Sequence, residues 1–205
     1  MDDYPFFALI ARMKYIERWK LMRNSYPENI QEHSHITAVI AHALGLIRRN
    51  IFKKPCDPNE LAAIALYHDA TEIFTGDLPT PVKYYSGDIR AAYGEVERLA
   101  AEKLVQALPE PLRTTYENLL SAHEDKERYE LVYAADKLSA YIKCLEERKA
   151  GNQEFLSAES STRKKLEDIN LPEINYFLEH FIPSFETTLD LLFEKDQERS
   201  EFAKK

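Results

Sequence analysis

His33, the adjacent pair His68-Asp69, and Asp136 are the residues of this chain whose types and spacing suit shared chemistry. Two imidazoles and two carboxylates converging from three helices make a cage for one divalent metal ion. Nitrogen and oxygen donors without a thiolate suit Mn, Co, Fe, Zn or Mg, and sequence does not choose among these. The neighbouring apolar residues support convergence. In Gln31–Asn50, the residues Ile36, Ile40, Ala43 and Ile47 mark an expected inner face, and His33 lies one turn before Ile36 on it. In Asp57–Ala70, Leu61, Ile64 and Ala65 lead inward to His68; in Glu127–Ala150, Val132, Ala135, Ser139 and Ile142 share a face that Asp136 borders. Ionisable groups aimed into a core are costly unless they are paired or bind metal. Taken singly, each element has a plainer reading, since a lone His on an apolar face is more often a hydrogen-bonded core residue. Three such intrusions together call for one explanation.

The elements that must position these residues read as helices. A first helix is expected over Phe6–Met22, with Leu9, Ile10, Met13, Ile16 and then Trp19 or Lys20 inward, broken by Arg23–Gln31 with its Pro27. Pro55–Pro58 is a turn from which Asp57 or Pro58 opens the next helix. Thr75–Pro81, with one glycine and two prolines, reads as a loop. Helices are expected over Ser86–Leu108, Pro111–His123 and Glu127–Ala150, with a polar link at Glu124–Lys126 and Gly151 as a C-cap. Two more flank Pro172, and another follows Pro183. Only 5 glycines in 205 residues, and no sustained period-two alternation, favour an all-α single domain over residues 1–193. Glu194–Lys205 is almost wholly charged and is expected to be a flexible tail.

A net charge of −8 disfavours an extended nucleic-acid surface, which would need many phosphate-binding cations. No basic stretch followed by an apolar core opens the chain, and no apolar run reaches membrane-spanning length. Cys56 and Cys144 are isolated, which suggests neither a disulfide framework nor a thiolate zinc site. A cytoplasmic protein is the expectation.

The set His33…His68-Asp69…Asp136 stands among further wording: Arg18-Trp19, Glu32-His33-Ser34, Tyr67-His68-Asp69-Ala70-Thr71-Glu72, and Thr75-Gly76-Asp77-Leu78-Pro79-Thr80-Pro81-Val82-Lys83. Ala135-Asp136 and Tyr141-Ile142-Lys143-Cys144-Leu145-Glu146-Glu147 complete it. In these motifs the chain resembles the HD-domain metal-dependent phosphohydrolases, and within them the bacterial 5′-deoxynucleotidase branch, from about Phe6 to Leu189. The resemblance implies an HD-domain helical bundle, a homodimer, and removal of phosphate from deoxyribonucleoside 5′-monophosphates with one divalent metal. It implies His33, His68, Asp69 and Asp136 as metal ligands, with His33, Asp69 and Asp136 also beside the substrate. It makes Arg18 and Glu72 the catalytic residues, with Glu72 in proton transfer, and places Arg18 and Trp19 near the phosphate and Asp77, Leu78, Pro79 and Thr80 at the nucleoside, with Asp77 sensing the sugar. These roles suit the side chains, because Arg18 offers a fixed fork of donors and Glu72 lies one helical turn after Asp69.

Without the resemblance, Arg18 reads as a helix-surface cation, Trp19 as a core anchor, and Glu72 and Asp77 as loop caps. Lys83 is a candidate second phosphate contact that reads better as a solvated lysine, and His123 reads as a surface residue. His35, His42 and His180 are assigned to packing or surface. Two rival functions stand beside the main one. The first is hydrolysis of another nucleotide, such as a triphosphate, a cyclic nucleotide or an alarmone; it ranks lower because few cations are in evidence near the site. The second is a non-catalytic module that keeps the metal as a brace, against which Glu72 argues.

Overall fold

Local capping decides where the helices that matter begin. The computed structural model describes residues 3–83 and 85–194, apart from the Thr80 side chain. Asn29 caps α2 (Ile30–Leu46) through a capping box, its side chain accepting from the Gln31 and Glu32 amides while Glu32 reaches back. Asp57 caps α3 (Pro58–Tyr67), with Pro58 at the first helical position. Asp125 caps α8 (Lys126–Lys149), the 24-residue central helix. Its far end closes at Gly151 (φ 85°), where the Asn152 amide donates to the Glu147 carbonyl and the Gly151 amide to Arg148.

Around these lie α1 (Phe6–Ile10), α4 (Glu72–Thr75), α5 (Thr80–Lys83), α6 (Gly87–Gln106) and α7 (Glu110–Leu120). The chain continues into α9 (Leu156–Ile169), α10 (Pro172–His180) and α11 (Ile182–Phe185), and residues 189–194 are again helical. No strand occurs among the described residues, only one antiparallel bridge between Glu17 and Asn29. The fold is all-α. Glu194 is helical, and the remainder of the expected charged tail lies outside the described residues.

α2 packs on α3 and α8, and α8 also carries α9. Gly45 sets the α2–α3 spacing: a Cβ there would lie 2.9 Å from the Pro58 Cα. Two apolar clusters result. The larger joins Ile40, Leu44, Ile64, Val132, Ala135 and Leu138; the smaller gathers Phe6, Met13, Ile30, Ala70 and Leu104. His33 falls between Ile30 of one and Ile40 of the other, and His68-Asp69 between Ala65 and Ala70. The expected cage therefore sits along the seam between the two clusters.

Two expectations are corrected. The first helix does not run to Met22. It tightens into a 3₁₀ turn over Ala11–Tyr15 and ends, with Ile16 extended. The Arg18 amide then donates to the Glu28 carbonyl (2.8 Å) and the Ile30 amide to Ile16 (2.9 Å), so residues 16–30 form a closed excursion. Backbone pairing with a distant segment outweighs the helical period there. On α2, Ile36 is 41% exposed, whereas Ser34 and Thr37 are buried. The buried face is rotated by about one position from the apolar stripe because it holds small polar residues.

Candidate metal centre and adjoining cleft

His33, at the start of α2, is fully buried. Its Nδ1 meets Ser139 Oγ on α8 at 3.1 Å, and its Nε2 lies 3.1 Å from Asp136 Oδ1. His68 ends α3 and donates from Nδ1 to the Ala65 carbonyl (2.7 Å), which leaves the Nε2 lone pair facing inward. Among the described residues that Nε2 has no aligned hydrogen-bond partner, yet Asp69 Oδ2 lies 3.2 Å away. Asp69 Oδ2 is also 3.6 Å from His33 Nε2. A lone pair facing a carboxylate oxygen is repulsive unless a proton or a cation sits between them. One donor atom each from His33, His68 and Asp136 lies within 4.8 Å of the others, a group able to hold a metal ion. Asp69 borders it through both imidazoles. Hydrogen bonds with Ser139 Oγ and to the Ala65 carbonyl orient the two rings, the kind of support that metal-binding histidines receive.

Burial, with the Arg18 charge, lowers the pKa of His33. Burial works against charge on His68, but Asp69 raises its pKa overall. Burial likewise opposes charge on Asp136, yet Lys137 and His33 hold its carboxyl well below the usual range. Glu72 behaves oppositely. It is buried on the turn in which its amide donates to the Asp69 carbonyl (3.0 Å), and its Oε2 has no hydrogen-bond partner among the described residues. Burial, then Asp69 and Asp77, push its pKa well up.

A cleft of about 620 Å³ adjoins this cluster. Arg18, Trp19, Asp77, Leu78 and Pro79 line it together with Asp136, so the structure brings the substrate-side candidates to the metal-ligand candidates. Gly76 turns the chain into this loop with φ 72°, a conformation that glycine adopts without strain. Trp19 adopts φ 59° without being glycine, and its indole donates to Glu28 Oε2 (2.8 Å). Burial and Asp69 raise the pKa of Asp77, partly offset by Arg18. The Thr80 side chain lies outside the description. Lys83 is held by Glu97 at 2.9 Å and lies over the Tyr93 ring, and His123 is exposed.

The opposite side of the cleft was not anticipated. Ser157, Ser161 and Lys165 line it at i, i+4 and i+8 on α9, a polar helical stripe that the spacing alone reveals. Lys20 and Lys137 line it too, so the cleft holds more cations than the sequence suggested. Lys137 Nζ donates to Asp136 Oδ2 (2.7 Å).

Residues 5–185 match the family profile described as 5′-deoxynucleotidase YfbR-like. A 5′-deoxynucleotidase of Erwinia tasmaniensis is 48% identical over 186 residues, covering 90% of this chain and 94% of that protein. Among solved structures, an HD-domain phosphohydrolase from Listeria innocua superposes with a TM-score of 0.77 at 23% identity, over 97% of both chains. A cyanophage S-2L HD phosphohydrolase, bound to dA and one catalytic Zn²⁺, gives a TM-score of 0.57 at 22% identity, covering 88% of this chain and 96% of that one. The bundle is thus the HD-domain fold, and the chain belongs to the YfbR-like 5′-deoxynucleotidase family.

Proposed function

We propose that the cleft hydrolyses deoxyribonucleoside 5′-monophosphates to deoxyribonucleoside and phosphate. The observation that carries this reading is that Asp136, a member of the His33–His68–Asp136 group, lines one cleft with Arg18, Trp19 and Asp77. The relatives named 5′-deoxynucleotidase support the substrate class, and the dA and Zn²⁺ of the phage enzyme support the pairing of nucleoside with metal. His33, His68, Asp69 and Asp136 would hold one divalent cation, whose Lewis acidity would acidify water and offset charge developing on the phosphoryl group.

The remaining steps belong to side chains. Arg18 engages Glu28 through Nη1, and its Nε and Nη2 make no hydrogen bond among the described residues, which leaves them for phosphate oxygens. Glu72, with its raised pKa, holds a proton that its Oε2 delivers to the departing 5′ oxygen of the sugar. Asp77 accepts from a sugar hydroxyl and crowds a 2′-hydroxyl, while Leu78, Pro79 and Thr80 flank the nucleoside.

Phosphate release from a nucleotide panel tests this reading. Deoxyribonucleoside monophosphates should react much faster than ribonucleotides, and a chelator should abolish both activities reversibly. Equal rates on dAMP and AMP would remove the deoxy-specific part. A second reading, hydrolysis of a nucleotide with a longer phosphate chain, draws on Lys20, Lys137 and Lys165 in the same cleft. Release of pyrophosphate or triphosphate would mark it.

We also propose a cytoplasmic homodimer. No described helix is long and apolar enough to cross a membrane. Phe7, Ile36, Val39 and Leu66 leave apolar surface exposed on α1–α3, which suits a second copy. Light scattering that gives a monomer mass at micromolar concentration would reject the dimer.

A further inference from the structure

We propose that Glu28 is the positioning residue of the substrate end of the cleft: a single carboxylate oxygen, Oε2, holds both the Arg18 guanidinium and the Trp19 indole where they meet a nucleotide. The proposal rests on the reading of Arg18 and Trp19 as substrate contacts. Arg18 Nη1 donates to Glu28 Oε2 at 2.6 Å, and Trp19 Nε1 donates to the same atom at 2.8 Å. The backbone repeats the link, since the Arg18 amide donates to the Glu28 carbonyl. Both charged side chains are largely buried, at 13% and 14% exposure, so little water competes for the pair.

Two features say what the link does. Asp69, Asp77 and Asp136 also attract the Arg18 guanidinium. Without Glu28, Arg18 would be drawn onto carboxylates that the substrate and metal require. Trp19 adopts a left-handed backbone conformation, which costs energy in a bulky residue and persists only where surrounding contacts over-determine it. Those contacts are the indole bond to Glu28, the Met22 amide on the Trp19 carbonyl, and the indole tilted against the Phe155 ring at 5.3 Å. Arg18 also lies against the Trp19 ring, 5.6 Å from its centroid, so a shift in one moves the other. Fixing both groups before substrate arrives removes an ordering cost from binding.

The chain has a single tryptophan, so intrinsic fluorescence reports on this link independently of turnover. The test compares wild type, Glu28→Ala, Glu28→Gln, Arg18→Ala and the Arg18→Ala/Glu28→Ala double variant, all metal-loaded, in steady-state phosphate release from dAMP. Glu28→Ala should lower kcat/KM roughly 10- to 100-fold, mainly through KM, the scale expected for misplaced binding groups. Its tryptophan should become more accessible to acrylamide. Glu28→Gln, which keeps an oxygen but loses the charge, should recover the tryptophan environment and part of the activity. In the Arg18→Ala background, removal of Glu28 should cost several-fold less than in the wild type, because one of the two groups it orients is already gone. If Glu28→Ala does not fold, Glu28→Gln carries the same cycle. Equal losses in both backgrounds, with Arg18→Ala impaired, would overturn the proposal alone. Wild-type kinetics for Arg18→Ala would overturn it together with the role of Arg18 in substrate binding.

Discussion

The Glu72 carboxyl is buried, and burial with the charges of Asp69 and Asp77 opposes its ionisation more than Arg18 and Lys83 favour it. It therefore carries a proton at pH values where an exposed glutamate does not, and it can give that proton away. Glu72→Gln keeps the shape and removes this capacity. Turnover should fall roughly 100-fold or more, the usual scale for a positioned acid–base group, while metal content and substrate KM change little. Near-wild-type kcat in a metal-loaded variant would reject the role. Asp77 differs because it is only partly buried, on a loop stiffened by Pro79 and Pro81 after the left-handed Gly76. A carboxylate on such a loop has little room to retreat from a 2′-hydroxyl. Asp77→Ala should narrow the dAMP-to-AMP rate ratio mainly by speeding AMP, with bound metal unchanged. An unaltered ratio would move sugar selection to other residues.

At the scale of the elements, two contacts set the site. Gly45 lets α2 approach α3, whose ends carry His33 and His68. An added methyl would press on Pro58 Cα at 2.9 Å and Leu61 Cδ1 at 3.0 Å, so the helices must part. Gly45→Ala should cost about 1–3 kcal/mol and weaken metal binding, as read by thermal unfolding and metal titration. Wild-type values in both would show that the approach has slack. Glu147 on α8 ties down the excursion that bears Arg18 and Trp19. Fully buried, it accepts from the Ser25 and Tyr26 amides, from Lys143 Nζ (2.5 Å) and from Asn152, while Lys143 also reaches the Tyr26 carbonyl. Burial opposes its charge, but these donors lower its pKa from 4.5 to about 2. Its ionised form therefore contributes stability above pH 4.5 that drains away as pH falls toward 2, worth about 3 kcal/mol at neutral pH. Glu147→Gln should lose roughly that much at pH 7 and little near pH 2.5 in urea unfolding. A pH-independent difference would reject the account. These elements also show where the sequence was readable. His33, His68 and Asp136 sit at helical spacing beside apolar neighbours, so periodicity pointed to them. The path of Arg18-Trp19 did not show, because its partner is Glu28, ten residues on, and side-chain–backbone closure leaves no period. The Tyr141–Glu147 run carried a resemblance whose purpose only the Ser25 and Tyr26 amides explain.

For the molecule as a whole, the candidate ligands come from α2 and from the α3 end with the turn after it, which join the two apolar clusters, and from α8, which packs in the larger one. His68 Nε2 and Asp69 Oδ2 stand 3.2 Å apart at that seam, close enough to need a proton or a cation between them. A cation that binds only the folded chain can take that place and adds its binding free energy to the fold. At free metal about 100 times Kd, this amounts to about 2.7 kcal/mol. For a protein of this size, that corresponds to roughly 5–10 °C in Tm. Chelation should lower Tm by this amount, and readdition of one equivalent of divalent metal should restore it. His68→Ala tests whether the effect belongs to the seam, because removal of one ligand should shrink the metal-dependent shift to about a degree or two, whatever happens to the baseline Tm. Differential scanning of both proteins, with and without chelator and with metal content measured alongside, reads all four values. A full Tm shift in His68→Ala would place the stabilising ion elsewhere. No shift in the wild type, with metal shown to have left, would mean that the bundle holds its seam by apolar packing alone and that the cation serves only the chemistry.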